Sequence, residues 1–347
     1  MGRAARAAAA GDGGDMAEKD DGVAGAGAGT GTGAATGTGT GAATGAELID
    51  FRDARVRGGD HIVRGTAADG LVRAFAVTAR DTVQTACDNH HASPLVTAAL
   101  GRLMMGGLMM GAMSKDEDEL ITLVMSGDGP IGGLTVTANN KGQVKGYANH
   151  PNVWLDLKSD NHLDVGGGIG AGTLTVVRDL PGVEPYSSTV PLATGEVGDD
   201  LTYYFAVSDQ IPTAVGVGVL VDVDLSVRQA GGFVVQLMPG YDDALIDQLS
   251  ANLKGVESVT EMQERGMSPT DVLGYLLRGM GYEELDAMPA EFHCGCDKDR
   301  ASRIVLALGR DELESMVEKG EPALVHCHFC GREYRFEPGE LKALLDG

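Results

Sequence analysis

Four of the five cysteines in this 347-residue chain stand in two tight pairs, Cys294-Gly295-Cys296 and Cys327-His328-Phe329-Cys330. No other feature restricts its folding as much. Zinc takes four soft ligands tetrahedrally, and a set of four thiolates is a standard structural site. Each pair can grip an ion locally. The segment between them shows helical spacing at Ile304, Ala307 and Leu308 and again at Leu313, Met316 and Val317, which would bring the pairs together. From residue 291 onward the chain is too short to bury an adequate core unaided. Structural zinc contributes about 10–16 kcal/mol to the folding of small peptides. The expected ligands are therefore Cys294, Cys296, Cys327 and Cys330, holding one zinc per chain.

A permanent clasp has no need of the one-residue spacing. Metal-bound thiolates are deprotonated, and the thiolate is the form that oxidants attack. Four cysteines permit three disulfide pairings, and all three remain open at this level. Cross-pairing would hold the two ends of the domain together as metal does. Local pairing would discard the metal and leave nothing in its place. A Cys-Gly-Cys ring is small and strained, and strained disulfides are the readily reduced, regulatory ones. The spacing suits a reversible switch.

The rest of the chain supports a cytoplasmic setting, where thiols stay reduced. Its N-terminus has no apolar stretch of a signal peptide, and Asp12, Asp15 and Glu18 argue against a transit peptide. No run approaches eighteen consecutive apolar residues, so no bilayer span is expected. Lys and Arg total 27 against 50 Asp and Glu, a net charge of −23, which repels phosphate backbones and anionic membranes. Nucleic acid is excluded as a partner on that ground. From Tyr241 to the end, 11 basic against 22 acidic residues give −11, the wrong sign for a zinc ribbon that reads nucleic acid.

The length predicts roughly two domains, and the organisation is read as α+β. Residues 1–46 are low complexity, with "GTGTGAAT" twice in succession, and are expected to be a disordered tail, with Met16 an alternative start. Residues 47–240 form a large domain with an extensive β-sheet. Its strands are read at "GLVRAFAVTA", where Leu71, Arg73 and Phe75 share a face, and at "LITLVMSG", "GGLTVTAN", "GTLTVVRD", "LTYYFAVS", "AVGVGVLVDVD" and "GGFVVQLMPG". One long helix starts at Ser93-Pro94, a cap followed by a first-turn proline. Residues 241–290 are read as a helical connector with stripes at Ile246, Leu249, Leu253 and at Leu273, Leu276, Leu277, Met280. Residues 291–347 form the small cysteine-bearing domain, with a terminal helix marked by Leu341, Leu344 and Leu345.

Several other signals carry less. Cys87 with His90 and His91 offers only three clustered ligands before a helix and is assigned a structural role. Met104, Met105, Met109, Met110 and Met113 suit an adaptable surface, but helical methionines at this spacing are read as core. "GGGIGA" (Gly166–Ala171) leads into a strand rather than a helix, so it lacks phosphate-binding geometry. His326 and His328 flank Cys327 but are outcompeted by four thiolates. A thiol oxidoreductase is disfavoured because "CHFCGREYRF" reads as a knuckle entering a strand, not as a helix opening.

"HCGC" followed by "CHFCGREYRF" resembles the zinc-binding tail of the redox-regulated heat-shock protein 33 chaperones. "TARDTVQTA", "HHASPLVTAALGR", "SGDGPIGGLTV", "KGYANHP" and "GGFVVQLMPG" resemble that family's segments in order, so that the likeness covers about residues 47–347. The resemblance implies a cytoplasmic holdase without ATP or catalytic turnover, inactive when reduced and zinc-bound through the four cysteines. It implies activation by oxidants with heat, through disulfides Cys294–Cys296 and Cys327–Cys330, zinc release and unfolding of the zinc domain and connector. Unfolding or oxidatively damaged client proteins and an active homodimer are its implied partners. The Gly/Ala/Thr tail and Cys87 depart from the family pattern.

Overall fold

The computed structural model describes residues 59–116 and 118–346; the low-complexity tail and Met16 lie outside them. The described residues begin with the hairpin β1 (His61–Ala67) and β2 (Val72–Thr78), then α1 (Arg80–His90) and α2 (Pro94–Ala112). A meander follows, β3 (Leu120–Gly127), β4 (Leu134–Asn139) and β5 (Gln143–Ala148). The short α3 (Val165–Ile169) precedes β6 (Gly172–Asp179) and β7 (Tyr186–Pro191). Then come α4 (Val197–Tyr204), β8 (Thr213–Val221) and β9 (Val227–Leu237). The connector contributes α5 (Asp243–Leu253), α6 (Val259–Glu264), α7 (Pro269–Leu276) and β10 (Glu283–Pro289). The last part holds β11 (Glu291–Phe292), α8 (Lys298–Leu306), α9 (Arg310–Lys319), β12 (Ala323–His326), β13 (Glu333–Phe336) and α10 (Pro338–Asp346).

Two sheets enclose α2. One runs in the order β10-β1-β2-β9-β8 and the other β11-β5-β4-β3-β6-β7. Side chains from both, among them Phe75, Val77 and Val234 on one side and Leu123, Val136 and Val176 on the other, pack on the helix in one apolar core. Ser93 caps α2 by accepting from the Val96 amide, and Pro94 occupies its first turn, as the sequence signals predict. By length and composition α2 is apolar enough to cross a membrane, although its glycines, threonine and arginine break any continuous apolar run; 94% of its apolar window is buried inside the protein. A helix apolar all round is here the central core element. Met104, Met105, Met109 and Met110 are buried in it, as expected, while Met113, just past its end, is half-buried against the core. Gly111 allows the closest approach: a Cβ there would lie 2.4 Å from the Asn139 carbonyl oxygen.

The first sheet is buried on both faces. Its far face, formed by Val63, Val72, Ala74, Ala76, Phe233 and Val235, carries the connector helices through Leu249, Val259, Met262, Leu273, Leu276 and Leu277. Capping boxes at Ser258/Glu261 and Ser268/Asp271 start α6 and α7. Buried Asn252 donates its side-chain amide to the carbonyls of Leu276 (3.1 Å) and Arg278 (2.9 Å), tying α5 to the end of α7.

Three readings of the sequence differ from the structure. "LTYYFAVS" is not a strand: it is the end of α4 and a following π-helical turn, Phe205–Asp209. The aromatic run fits either period, but Leu201, Tyr204 and Phe205 are the buried residues, a spacing of three and four. Asp199 and Asp200 in the first turn favour a helix start. The connector is not helical to its end: β10 pairs antiparallel with β1 from His61↔Pro289 to Thr66↔Glu283, supported by the Arg64–Asp286 ion pair. The helix α8 is present, but its buried side chains are Ala301 and Val305, while Ile304 (58%) and, beyond its end, Leu308 (56%) are exposed.

Candidate metal centre

The second cysteine pair sits at the tip of the β12–β13 hairpin, where Cys327 N donates to Arg332 O and Gly331 N donates to Cys327 O, both at 2.9 Å. Gly331 takes a left-handed φ of 67° that closes this knuckle. The first pair lies between β11 and α8. Asp297 caps α8 through the Arg300 amide at 2.6 Å, and Arg300 Nη1 donates back to Gly295 O at 2.9 Å, which fixes the Cys-Gly-Cys bend.

The fold brings the two pairs together. Ligand atoms of Cys294, Cys296, Cys327 and Cys330 all lie within 4.8 Å of one another, and these four are the grouping that could hold a metal ion among the described residues. Cys294 Sγ is 3.6 Å from Cys327 Sγ, and Cys296 Sγ is 3.3 Å from Cys330 Sγ. A tetrahedral zinc with sulfur at about 2.3 Å requires sulfur–sulfur edges of about 3.8 Å, so the cage has the right size and donor chemistry. Every sulfur can reach the other three, so the arrangement favours no particular disulfide pairing.

The sulfurs are electrostatically unequal. Burial pushes the Cys296 thiol up, but the hydrogen bond donated by Tyr334 Oη (3.2 Å) and those from neighbouring thiols outweigh it and bring it down to about 7. Burial, chiefly, pushes Cys294 and Cys330 upward. All four are half-buried, and Cys294, Cys296 and Cys327 line a cleft of about 160 Å³ with Lys145, Arg300, Ile304, Phe329 and Tyr334. Small solutes can reach the thiols through it.

The domain carrying this cage has few other supports. Its core consists of Ala301, Val305, Leu313, Ala323, Phe336 and Leu341. At about 1.5–3 kcal/mol for each of the larger side chains, this burial is of the same order as the roughly 10–16 kcal/mol that a structural zinc contributes in small peptides. The histidines beside Cys327 stay out of the cage: His326 pairs with Glu333 at 3.3 Å, and His328 lies against Tyr147. Cys87 is buried and accepts from Thr97 Oγ1 at 3.2 Å, and it is not one of the four grouped thiols.

Contacts that no local sequence pattern signals join the cage to the large domain. Phe329, between Cys327 and Cys330, meets Tyr147 edge-on at 5.2 Å and has Lys145 Nζ 4.5 Å from its ring centre. His90 Nε2 is shared between Phe329 O (3.0 Å) and Gly146 O (3.1 Å). Gly331 packs so closely that a Cβ would lie 2.7 Å from Asn89 O. Ahead of Cys294, β11 runs parallel to β5.

A family model described as Hsp33 protein matches residues 60–337. A protein of Agathobacter rectalis named 33 kDa chaperonin is 48% identical over 285 residues, covering 82% of this chain and 99% of its own. One of Geobacillus kaustophilus with the same name is 43% identical, covering 82% and 97%. The crystal structure of the 33 kDa chaperonin (heat shock protein 33 homolog) of Thermotoga maritima superposes with a TM-score of 0.77 at 36% identity, over 83% of this chain and 98% of that one.

Proposed function

The chain belongs to the Hsp33 family of chaperones, and from that membership we propose that it is a redox-regulated, ATP-independent holdase of the cytoplasm, not an enzyme. Reduced, it holds one zinc through Cys294, Cys296, Cys327 and Cys330 and is inactive. Oxidised, with disulfides Cys294–Cys296 and Cys327–Cys330, it holds unfolding or oxidatively damaged proteins and works as a homodimer. The proposed division is a tail at 1–46, a chaperone core at 47–240, a redox-sensitive connector at 241–290 and a switch domain at 291–347.

One observation carries the reading: four thiols in a zinc-sized cage hold together a domain with a six-residue core. Each disulfide takes two electrons from a thiol pair, and peroxide accepts them with two protons to give water. Four oxidised sulfurs no longer offer a ligand set, so a term of the same order as the small domain's whole apolar core is lost. Its neighbours then lose their anchor. The connector helices cover an apolar sheet face including Val72, Ala74, Phe233 and Val235, and lifting them would present that face to clients.

The test is zinc stoichiometry before and after peroxide with mild heat, paired with aggregation of an unfolding client. Zinc release together with onset of holding is expected, reversed by reductant. Equal holding by the fully reduced, zinc-loaded protein would remove the switch.

A further inference from the structure

Strand β5 lies at the margin of its sheet, and the chain itself closes its outer edge. The carbonyls of Gly142, Val144 and Gly146 alternate along that edge. The first accepts from Glu291 N at 2.9 Å and the second from His293 N at 2.8 Å. The third shares His90 Nε2 with Phe329 O. Only Glu291 and Phe292 pair as a strand, in parallel, with Gln143 and Val144. From Lys145 to Ala148 no strand partner lies on that side among the described residues, and the Phe329 ring covers Lys145 and Tyr147 instead. An edge of this kind is a template for an incoming extended chain.

We propose that the β5 edge is a docking site for an extended segment of an unfolded client, which adds as a strand in place of Glu291–His293 and sets an aromatic side chain where Phe329 now sits. The proposal rests on the chaperone reading above and names a surface that it would use besides the connector-covered sheet face. The present occupant displays the ligand chemistry. Its backbone pairs in extended form, and its aromatic ring is held by a cation at 4.5 Å and a second ring at 5.2 Å. Backbone pairing is indifferent to sequence, which suits many clients, while the ring position adds a preference for aromatic residues.

The two halves of the occupant also share one dependence. Phe292 stands two residues before Cys294, and Phe329 stands between Cys327 and Cys330. Opening the cysteine cage frees both, and with them the edge at Gly142 and Val144, while His90 of α1 keeps its contact with Gly146 O. The strand beneath stays put: β5 is paired with β4 from Leu134↔Ala148 to Ala138↔Val144, and Val144 and Ala148 belong to the main core. The dock is thus a rigid edge whose cover is redox-sensitive.

The experiment uses the full chain with the photo-crosslinker p-benzoylphenylalanine in place of Tyr147, which keeps a ring there, and in a control chain in place of exposed Thr189 on β7, at the opposite margin of the sheet. Reduced, carboxymethylated α-lactalbumin serves as a permanently unfolded probe. In reduced, zinc-loaded protein, position 147 should cross-link to the chain's own Phe329 region. After peroxide and mild heat that product should give way to a cross-link with α-lactalbumin, absent from the Thr189 control. Oxidised protein that suppresses client aggregation without cross-linking at 147, or that cross-links equally from both positions, overturns the β5 dock and leaves the chaperone reading intact. A cross-link to a second copy of the chain also overturns it, by identifying a different occupant. Oxidised protein that holds no client at all defeats both readings.

Discussion

Phe329 and Tyr147 meet edge-to-face with ring centres 5.2 Å apart, across the boundary between the cysteine domain and the core. Phe329 also stands in sequence between Cys327 and Cys330 of the cage, so the docked ring and the intact cage are one local structure. Phe329→Ala should weaken docking by about 1–2 kcal/mol, from the lost ring pair and cation contact. Hydrogen exchange along 143–147 should then rise in reduced, zinc-loaded protein, with activation at lower peroxide or temperature. Unchanged exchange would place the anchorage elsewhere.

Metal analysis of anaerobically purified protein should give one zinc per chain. The double substitution Cys294→Ser with Cys327→Ser removes a thiolate from each pair and should abolish retention. Full zinc affinity in that variant would falsify the ligand assignment.

Peptide mapping after peroxide and mild heat should find Cys294 joined to Cys296 and Cys327 to Cys330. The reduced cage places cross-pair sulfurs 3.3 and 3.6 Å apart, so the alternative is sterically available. Active protein linked mainly across the pairs would overturn the local-disulfide mechanism.

Asn252 makes two hydrogen bonds at the end of α7 from a buried position. Asn252→Ala leaves two carbonyls without their donor, at a cost of about 1–3 kcal/mol. Residues 243–280 should exchange faster in the reduced variant while zinc stays bound. If only the zinc domain loosened, the connector would not be the relay.

Gly111→Ala forces a methyl group against the Asn139 backbone, which cannot swing aside as a side chain can. Destabilisation of about 1–3 kcal/mol is expected from overpacking. Thermal unfolding of the reduced protein should register it, with zinc content unchanged.

The cysteine cage could be read from the sequence because metal ligation is local chemistry: two short spacings state the donor set without knowledge of the fold. The start of α2 was equally plain, since Ser93 and Pro94 act on their own helix. β10 was misread because "EELDAMP" is an exposed edge strand held by backbone pairing and Arg64, with no apolar alternation to betray it. Ile304 and Leu308 mislead because the small cysteine-bearing domain has a core of few residues, toward which Ala301 and Val305 turn instead. The Phe329–Tyr147 contact had no local signal at all: it joins residues far apart in the chain, and only packing reveals it.

Between β10 and β11 stands a single residue, Ala290, whose amide donates to Asp60 O at 2.9 Å. The chain therefore steps from the margin of one sheet to the margin of the other without slack. Strain applied from the cysteine end meets the two pairs on β5 first, then Ala290, then the β1 ladder beginning at His61↔Pro289. Pulled outward from that end, these bonds would yield one after another rather than together. A register shift between Arg64 and Gly65 interrupts that ladder. Detachment in this molecule has a direction, beginning beside Cys294 and reaching Glu283 last.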